Sequence, residues 1–225
     1  MDAAALKLSQ VSFSYPDKSS IFSDLSLEVA RGEHVFIAGP SGSGKTTLLN
    51  IVGGVLLPNA GGVEILGHDL LTMKSSARDS FRANSLGIIF QLFNLIPYLS
   101  VVENVLLPLH FSLSRREKIK GTPRDEAIRL LVSLGLDDEE LFIGSCSKLS
   151  VGQQQRVAAA RALLGDPEII IADEPTSALD YDNREEFLDL LFEQCRAMNT
   201  TLLFVSHDRS LSDRFSRQIS LKENE

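Results

Sequence analysis

Gly39-Pro40-Ser41-Gly42-Ser43-Gly44-Lys45-Thr46-Thr47 fits the pattern G-x-x-x-x-G-K-[ST]. Glycines at this spacing let backbone N–H groups wrap phosphate oxygens, because no Cβ blocks the approach, and the lysine adds a positive charge. Two adjacent carboxylates, Asp173 and Glu174, close the apolar run at residues 169–172. Magnesium prefers oxygen ligands in octahedral geometry and takes few of them from protein, a requirement that Thr46 and Asp173 suit. Glu174 is then free to orient or deprotonate an attacking water. Ser150-Val151-Gly152-Gln153 opens a helical pattern with Ser150 as its N-cap. The N–H groups and partial positive charge of that helix end could hold an anion as well as end a loop. His207 stands at the tip of another apolar run, where a histidine is structural or catalytic. His34, His68 and His110 share no metal-ligand spacing with it and read as structural or exposed.

These groups need elements to hold them. Residues 34–38 are short and apolar, as a buried parallel strand is, and residues 45–52 predict a helix with Leu48, Leu49 and Val52 on one face. Strand, loop and helix thus come in the order a phosphate loop requires. Earlier, Leu6, Leu8, Val11, Phe13 and Tyr15 alternate with one slip after Leu8, which predicts a half-buried strand with a bulge. A turn at Pro16-Asp17 follows, then an alternating run at Leu25, Leu27 and Val29 that stops at Arg31-Gly32. Residues 58–62 read as a turn, 63–66 as a short strand, and 86–90 as a buried strand leading to Gln91. Beyond Gln91 the pattern turns helical, with Ser100 and Glu103 spaced for a capping box. The basic run at residues 111–124 reads as a solvated connection between helices. Residues 125–134 predict a helix stopped by Gly135. Residues 168–174 and 201–206 predict buried strands on either side of a helix at 183–198.

The chain has 225 residues, 44% hydrophobic and 23% charged, enough for one substantial core with a subdomain. A net charge of −8 argues against a nucleic-acid footprint, so no nucleic-acid partner is expected. The two cysteines, Cys146 and Cys195, form no C-x-x-C pair and predict isolated thiols of a reducing compartment, without a disulfide. The first residues carry no basic segment followed by an apolar stretch, so a secretory signal is not expected. The most apolar long stretch, residues 92–109, is broken by Asn94, Pro97, Glu103, Asn104 and Pro108 and does not predict a membrane span.

Taken in order, the phosphate loop, Gln91, Leu149-Ser150-Val151-Gly152-Gln153, residues 169–174, Ser177-Ala178-Leu179-Asp180 and His207 resemble the ATP-binding cassette ATPases, over essentially the whole chain. Residues 86–97 and 103–109 look like the lipoprotein-release and macrolide-efflux branch. The resemblance implies an α/β fold: a P-loop NTPase (RecA-like) core at 1–91 and 166–225, with an N-terminal antiparallel β region and a helical subdomain inserted at 92–165. It also implies an ATPase subunit that binds ATP and Mg²⁺. Tyr15 would stack on adenine. Gly39, Pro40, Ser41, Gly42, Ser43 and Gly44 would cradle phosphates, Lys45 would reach the β- and γ-phosphates, and Thr47 would contact a phosphate. Thr46, Gln91 and Asp173 would hold Mg²⁺. Glu174 would activate water and His207 would hold the γ-phosphate. Ser150, Gly152 and Gln153 would close over ATP bound to a second copy, so the partners implied are a homodimer and integral membrane permease subunits. The expected place is the cytoplasmic face of the membrane, through those subunits.

Three other functions are weighed against this one. An ATP-gated mechanical or signalling module of the cell envelope is the alternative. A soluble cassette ATPase acting on DNA or ribosomes is disfavoured by the acidic balance and the single phosphate loop. A GTPase is disfavoured because no N-K-x-D segment is present. One position departs from the family pattern: Val151 stands where the commonest signature has its first glycine. A β-branched residue disfavours positive φ, so ordinary backbone angles are expected there.

Overall fold

The computed structural model describes residues 4–16, 19–40 and 42–221. Along the chain run β1 (Ala4–Ser14), β2 (Ser20–Ala30), β3 (His34–Ala38), α1 (Lys45–Val52), β4 (Ala60–Ile65), β5 (His68–Asp69), α2 (Ser75–Ser85) and β6 (Leu86–Ile89). There follow α3 (Val101–Leu106), α4 (Leu113–Glu117), α5 (Pro123–Ser133), α6 (Glu139–Ile143), α7 (Val151–Leu163), β7 (Ile169–Asp173), α8 (Tyr181–Ala197), β8 (Thr201–Ser206) and β9 (Arg217–Ser220). The chain divides into two compact units, residues 1–82 with 201–225, and residues 83–200.

In the first unit β2, β1, β4 and β5 form an antiparallel sheet in that order. The slip in the hydrophobic pattern of β1 is a real irregularity, since the register against β2 shifts between Leu8 and Val11 and Gln10 adopts φ 51°. That bulge explains where the turn expected at residues 58–62 is overturned. Gly61 belongs to β4 with φ 90°, and a Cβ there would lie 2.3 Å from the Gln10 carbonyl oxygen. Only glycine admits this approach, so residues that read as a turn continue the strand across the bulge. Likewise β2 begins at Ser20, ahead of the expected run, because Asp24 at φ 54° interrupts the alternation. Of the Pro16-Asp17 turn, Pro16 is described and Asp17 lies outside the described residues.

The same unit holds three parallel strands, with β3 between β8 and β9. Apart from the half-buried His34, β3 and β8 are buried throughout, the two-sided burial that parallel strands require. Phe36, Phe204 and Phe215 pack as an aromatic cluster, with ring centroids 5.1 to 6.2 Å apart. α1 buries Leu48, Leu49 and Val52, as its spacing predicts, and Ile51 besides.

In the second unit β6 and β7 pair in parallel, Leu86 to Ile169 through Ile89 to Ala172. β6 lies close to α7: a Cβ on Gly87 would sit 2.3 Å from the Ala162 carbonyl oxygen. The expected capping box starts α3, where the Ser100 hydroxyl accepts from Glu103 N (3.2 Å) and the Glu103 carboxylate from Ser100 N (2.8 Å). These contacts hold the exposed Glu103 carboxyl below its ordinary pKa. The basic run at 111–124 is not simply a solvated connection. Arg115 is 2% exposed, and its guanidinium donates to the Ala162 carbonyl oxygen at 2.7 Å. Gly165 makes the room, since a Cβ there would meet the Arg115 backbone oxygen at 2.7 Å. Burial lowers the Arg115 pKa to about 10, partly opposed by Glu168 and Asp166, and the group stays cationic at neutral pH. Cys146 and Cys195 are free and buried. Burial raises both thiols, Cys195 to about 12.

Candidate functional site

The phosphate loop is closed on itself. Ser43 N donates to the Pro40 carbonyl (3.2 Å), and Lys45 Nζ donates to the carbonyls of Gly39 (2.7 Å) and Pro40 (3.0 Å). Gly42 and Gly44 both take φ 87°, the left-handed region that glycine enters without strain. At Gly44 an added Cβ would also press on Ile21 Cγ2 (2.5 Å) and Phe22 Cζ (2.8 Å). Gly44 caps α1 with no side-chain hydrogen bond, so the first N–H groups of that helix are not covered by a cap. Ser43 is buried, and its hydroxyl has no partner among the described residues. Ser41 lies outside the described residues. These features fit a bound polyphosphate and its metal: orphan donors at a helix start, open space where a Gly42 Cβ would point, an ammonium group, and an exposed hydroxyl at Thr46.

Two further predicted residues gather in this unit. The Tyr15 hydroxyl lies 3.4 Å from Thr47 Oγ1, which sets the ring beside the first turn of α1, edge to face with Phe13 at 5.0 Å. Ala38 pairs with Ser206 in the parallel ladder, so the residues that follow them, Gly39 and His207, leave at the same end of the two strands. His207 is exposed there.

The second unit gathers the other set. Ile89 pairs with Ala172, so Gln91 and Asp173 emerge at one end of the β6–β7 pair, Gln91 exposed and Asp173 half-buried. Glu174 is 8% exposed and holds φ 47°. A non-glycine residue in the left-handed region costs about 1–2 kcal/mol, and such strain concentrates where a side chain must be aimed. Its carbonyl accepts from Ser177 N (3.2 Å), the first bond of a turn that runs on through Leu179 N to the Thr176 carbonyl (3.2 Å). Asp180 then caps α8 by accepting from Asn183 N (3.0 Å). The bonds from Asn183 hold its exposed carboxyl below the ordinary range.

At the start of α7 the Ser150 hydroxyl accepts from Gln153 N (3.2 Å) and Gln153 Oε1 accepts from Ser150 N (2.9 Å). This second capping box was not foreseen beyond Ser150, although glutamine three residues after serine is its sequence sign. Val151 is the first helical residue and has no positive φ, as the β-branched side chain led us to expect; it is 45% exposed. We therefore expect Val151→Gly to leave ATP hydrolysis within about tenfold, roughly 1.4 kcal/mol in barrier. Steady-state rates checked against the melting temperature test this; complete gain or loss of activity would contradict it. Gly152 is helical too, and a Cβ on it would meet only Leu179 Cδ2 at an ordinary 3.7 Å. Within its own chain, position 152 has room for alanine, which would favour the helix by about 1 kcal/mol.

Two arginines of α7 escaped the reading of the sequence. Arg156 donates to the Leu134 carbonyl (2.6 Å) and pairs with Glu186 (2.7 Å). Arg161 donates to the carbonyls of Asn94 (2.7 Å) and Phe93. The available sign was two arginines in a helix otherwise rich in alanine and valine, where a guanidinium has to find carbonyl partners. Among the described residues no cluster of three His, Cys, Asp or Glu could hold a metal alone, and no helix is long and apolar enough to cross a membrane.

Comparison with known proteins agrees in one direction. A family model described as ABC transporter matches residues 22–177. Over 223 residues the chain is 40% identical to the lipoprotein-releasing system ATP-binding protein LolD of Psychrobacter arcticus, covering 98% of this chain and 96% of that one. It is 36% identical over 220 residues to the uncharacterized ABC transporter ATP-binding protein Rv0986 of Mycobacterium tuberculosis, covering 96% and 86%. Among solved structures, the dimeric post-hydrolysis state of the ATP-binding cassette MJ0796 bound to ADP and Pi superposes with a TM-score of 0.85 at 35% identity. That match covers 98% of this chain and 97% of the other.

Proposed function

Because the chain belongs to the ABC transporter family, we propose that it drives separate membrane subunits in exporting or extruding lipoproteins or peptides. Its fold is the P-loop NTPase fold of that family, with the antiparallel sheet at its N-terminal end. It is an ATPase, a nucleotide-binding subunit of a transporter, and it works with ATP and Mg²⁺. The lipoprotein assignment leans on the relative from Psychrobacter arcticus. In our reading residues 1–91 and 166–225 make the catalytic core and residues 92–165 the helical subdomain.

The proposed cycle assigns each residue a task. Tyr15 stacks on the base, and the N–H groups of residues 39–47 wrap the phosphates. Lys45 leaves the Gly39 and Pro40 carbonyls for the β- and γ-phosphates, exchanging one set of charge-assisted hydrogen bonds for another. Thr46, Gln91 and Asp173 would hold Mg²⁺, whose charge offsets that developing on the phosphates. Glu174 orients the attacking water and takes its proton, and His207 donates to the γ-phosphate. Ser150, Gly152 and Gln153 close over the nucleotide of a second copy.

The observation that carries the two-copy reading is Gly152. Among the described residues of its own chain nothing excludes a side chain there, and its φ does not need glycine. Glycine at a helix start is retained at a cost in helix propensity when something outside the chain must come close to the backbone. A second copy presenting bound ATP is that neighbour, as two copies pair in the MJ0796 cassette. Membrane attachment falls to partner subunits, and the chain sits on the cytoplasmic face.

Purifying the protein from membranes in mild detergent and identifying what accompanies it tests the proposal. Integral membrane subunits, whose presence raises ATP turnover, are expected. Recovery with envelope proteins that it regulates, and no transported lipoprotein or peptide, would replace transport by the mechanical role.

A further inference from the structure

The segment that follows Gln91 contains two consecutive residues in the left-handed region, Phe93 at φ 57° and Asn94 at φ 49°. Neither is glycine, and for Phe93 the angle costs about 1–2 kcal/mol, while asparagine enters this region more readily. Local bonds do not account for the pair: Phe93 N reaches the Phe90 carbonyl (3.0 Å) and Asn94 N the Leu92 carbonyl (2.6 Å), the contacts of a tight turn. What holds both carbonyls is one guanidinium. Arg161 Nη1 donates to Asn94 O and Nη2 to Phe93 O, a planar fork spanning two successive peptide groups.

Arg161 is buried, and its guanidinium is met by the two backbone carbonyls. Burial lowers its pKa because desolvation disfavours the charged form. Farther along the segment, the fully buried Asn104 adds a second tie: its Oδ1 accepts from Ile96 N (2.7 Å) and its Nδ2 donates to Ile96 O (3.0 Å). The backbone from Phe93 to Ile96 is thereby fastened to α7 and α3, while the side chains of Gln91 and Leu92 remain exposed.

The geometry points to Arg161 as a positioning residue: it locks the left-handed Phe93-Asn94 turn to α7, so that the Gln91 carboxamide and the Ser150 end of that helix move as one piece. This rests on the proposed role of Gln91 as a Mg²⁺ ligand. Arg161 touches neither nucleotide nor metal in this scheme. It fixes where Gln91 starts from, and its rigid planar fork sets the spacing of the two carbonyls, which an ammonium on a flexible stem does not.

The test compares the full chain with Arg161→Met, Arg161→Lys, Gln91→Ala and the double variant Arg161→Met with Gln91→Ala. Three readouts are taken: the melting temperature, amide hydrogen exchange at Phe93 and Asn94 without nucleotide, and the Mg²⁺ concentration for half-maximal ATP binding. We expect Arg161→Met to speed exchange at those two amides and to raise the half-saturating Mg²⁺ about tenfold, with Arg161→Lys between it and the parent. In the Gln91→Ala background Arg161→Met should still speed exchange but add no further shift in Mg²⁺ dependence, the non-additivity of two residues acting on one step. A merely structural arginine would lower the melting temperature and leave the Mg²⁺ dependence of the folded fraction unmoved, which overturns the proposal. A full Mg²⁺ shift persisting without Gln91 overturns it as well. Gln91→Ala with a parental Mg²⁺ dependence overturns the reading of Gln91, separately from the exchange result at Phe93 and Asn94. Should Arg161→Met fail to fold, Arg161→Lys decides by the same three measurements.

Discussion

Glu174→Gln is expected to lower the turnover of ATP by about 10² to 10⁴-fold, the range lost when a general base is removed, while leaving nucleotide binding intact. The structure makes this a clean replacement. Glu174 is buried at the end of β7 with φ 47°, and glutamine has the same shape, the same reach and the same difficulty with that backbone angle. The turn it begins rests on its main-chain carbonyl, which accepts from Ser177 N, and that contact is indifferent to the side chain. What the amide cannot do is accept a proton from water. Bound ATP should therefore persist, and the closed pair of copies with it. Single-turnover kinetics measure the first part, and sizing chromatography in Mg-ATP the second, where a dimer is expected. Hydrolysis within threefold of the parent would remove Glu174 from the chemistry. A persistent monomer, with membrane subunits present, would remove the shared site.

Lys45→Ala should weaken ATP binding by about 100-fold, roughly 3 kcal/mol, the worth of one or two charge-assisted hydrogen bonds. Nζ satisfies two loop carbonyls, Gly39 at 2.7 Å and Pro40 at 3.0 Å. The lysine is thus a part of the loop itself as well as the proposed ligand for phosphate, and alanine loses both roles. Arginine does not replace it: the ammonium is a compact point charge, and a planar fork fits a different geometry. Equilibrium titration with ATP gives the affinity, and thermal unfolding without nucleotide separates the resting-loop contribution. An affinity within threefold of the parent would show that the backbone N–H groups alone hold the phosphates.

How far the sequence reached can be judged element by element. β3 and α1 were legible to the residue because a two-sided buried strand, a glycine loop and a helical apolar face follow one another without competing signals. The bulge in β1 was legible because a one-residue slip changes which side chains face inward. Its consequence was not. Residues 60–62 look like a turn until the Gln10 carbonyl is known to lie where a Gly61 side chain would be, a contact made far along the chain. The same holds for Arg115. Its charge reads as solvated, and only the Ala162 carbonyl and the space over Gly165 explain why it is buried. Of the candidate site, the residues at strand ends and the phosphate loop could be named from order and type. The α7 arginines could not, since three of their four partners are backbone carbonyls that carry no residue identity to search for, and the fourth, Glu186, lies far along the chain.

The state of the two cysteines has a practical consequence for watching the cycle. With both thiols buried, and Cys195 pushed up to about 12, the native protein offers alkylating dyes almost no thiolate to attack. A cysteine placed on an exposed position, Val151→Cys at the tip of α7 for example, would carry a fluorophore or spin label against a silent background. The approach of a second copy could then be followed as a change in signal at one defined atom, in the otherwise native sequence.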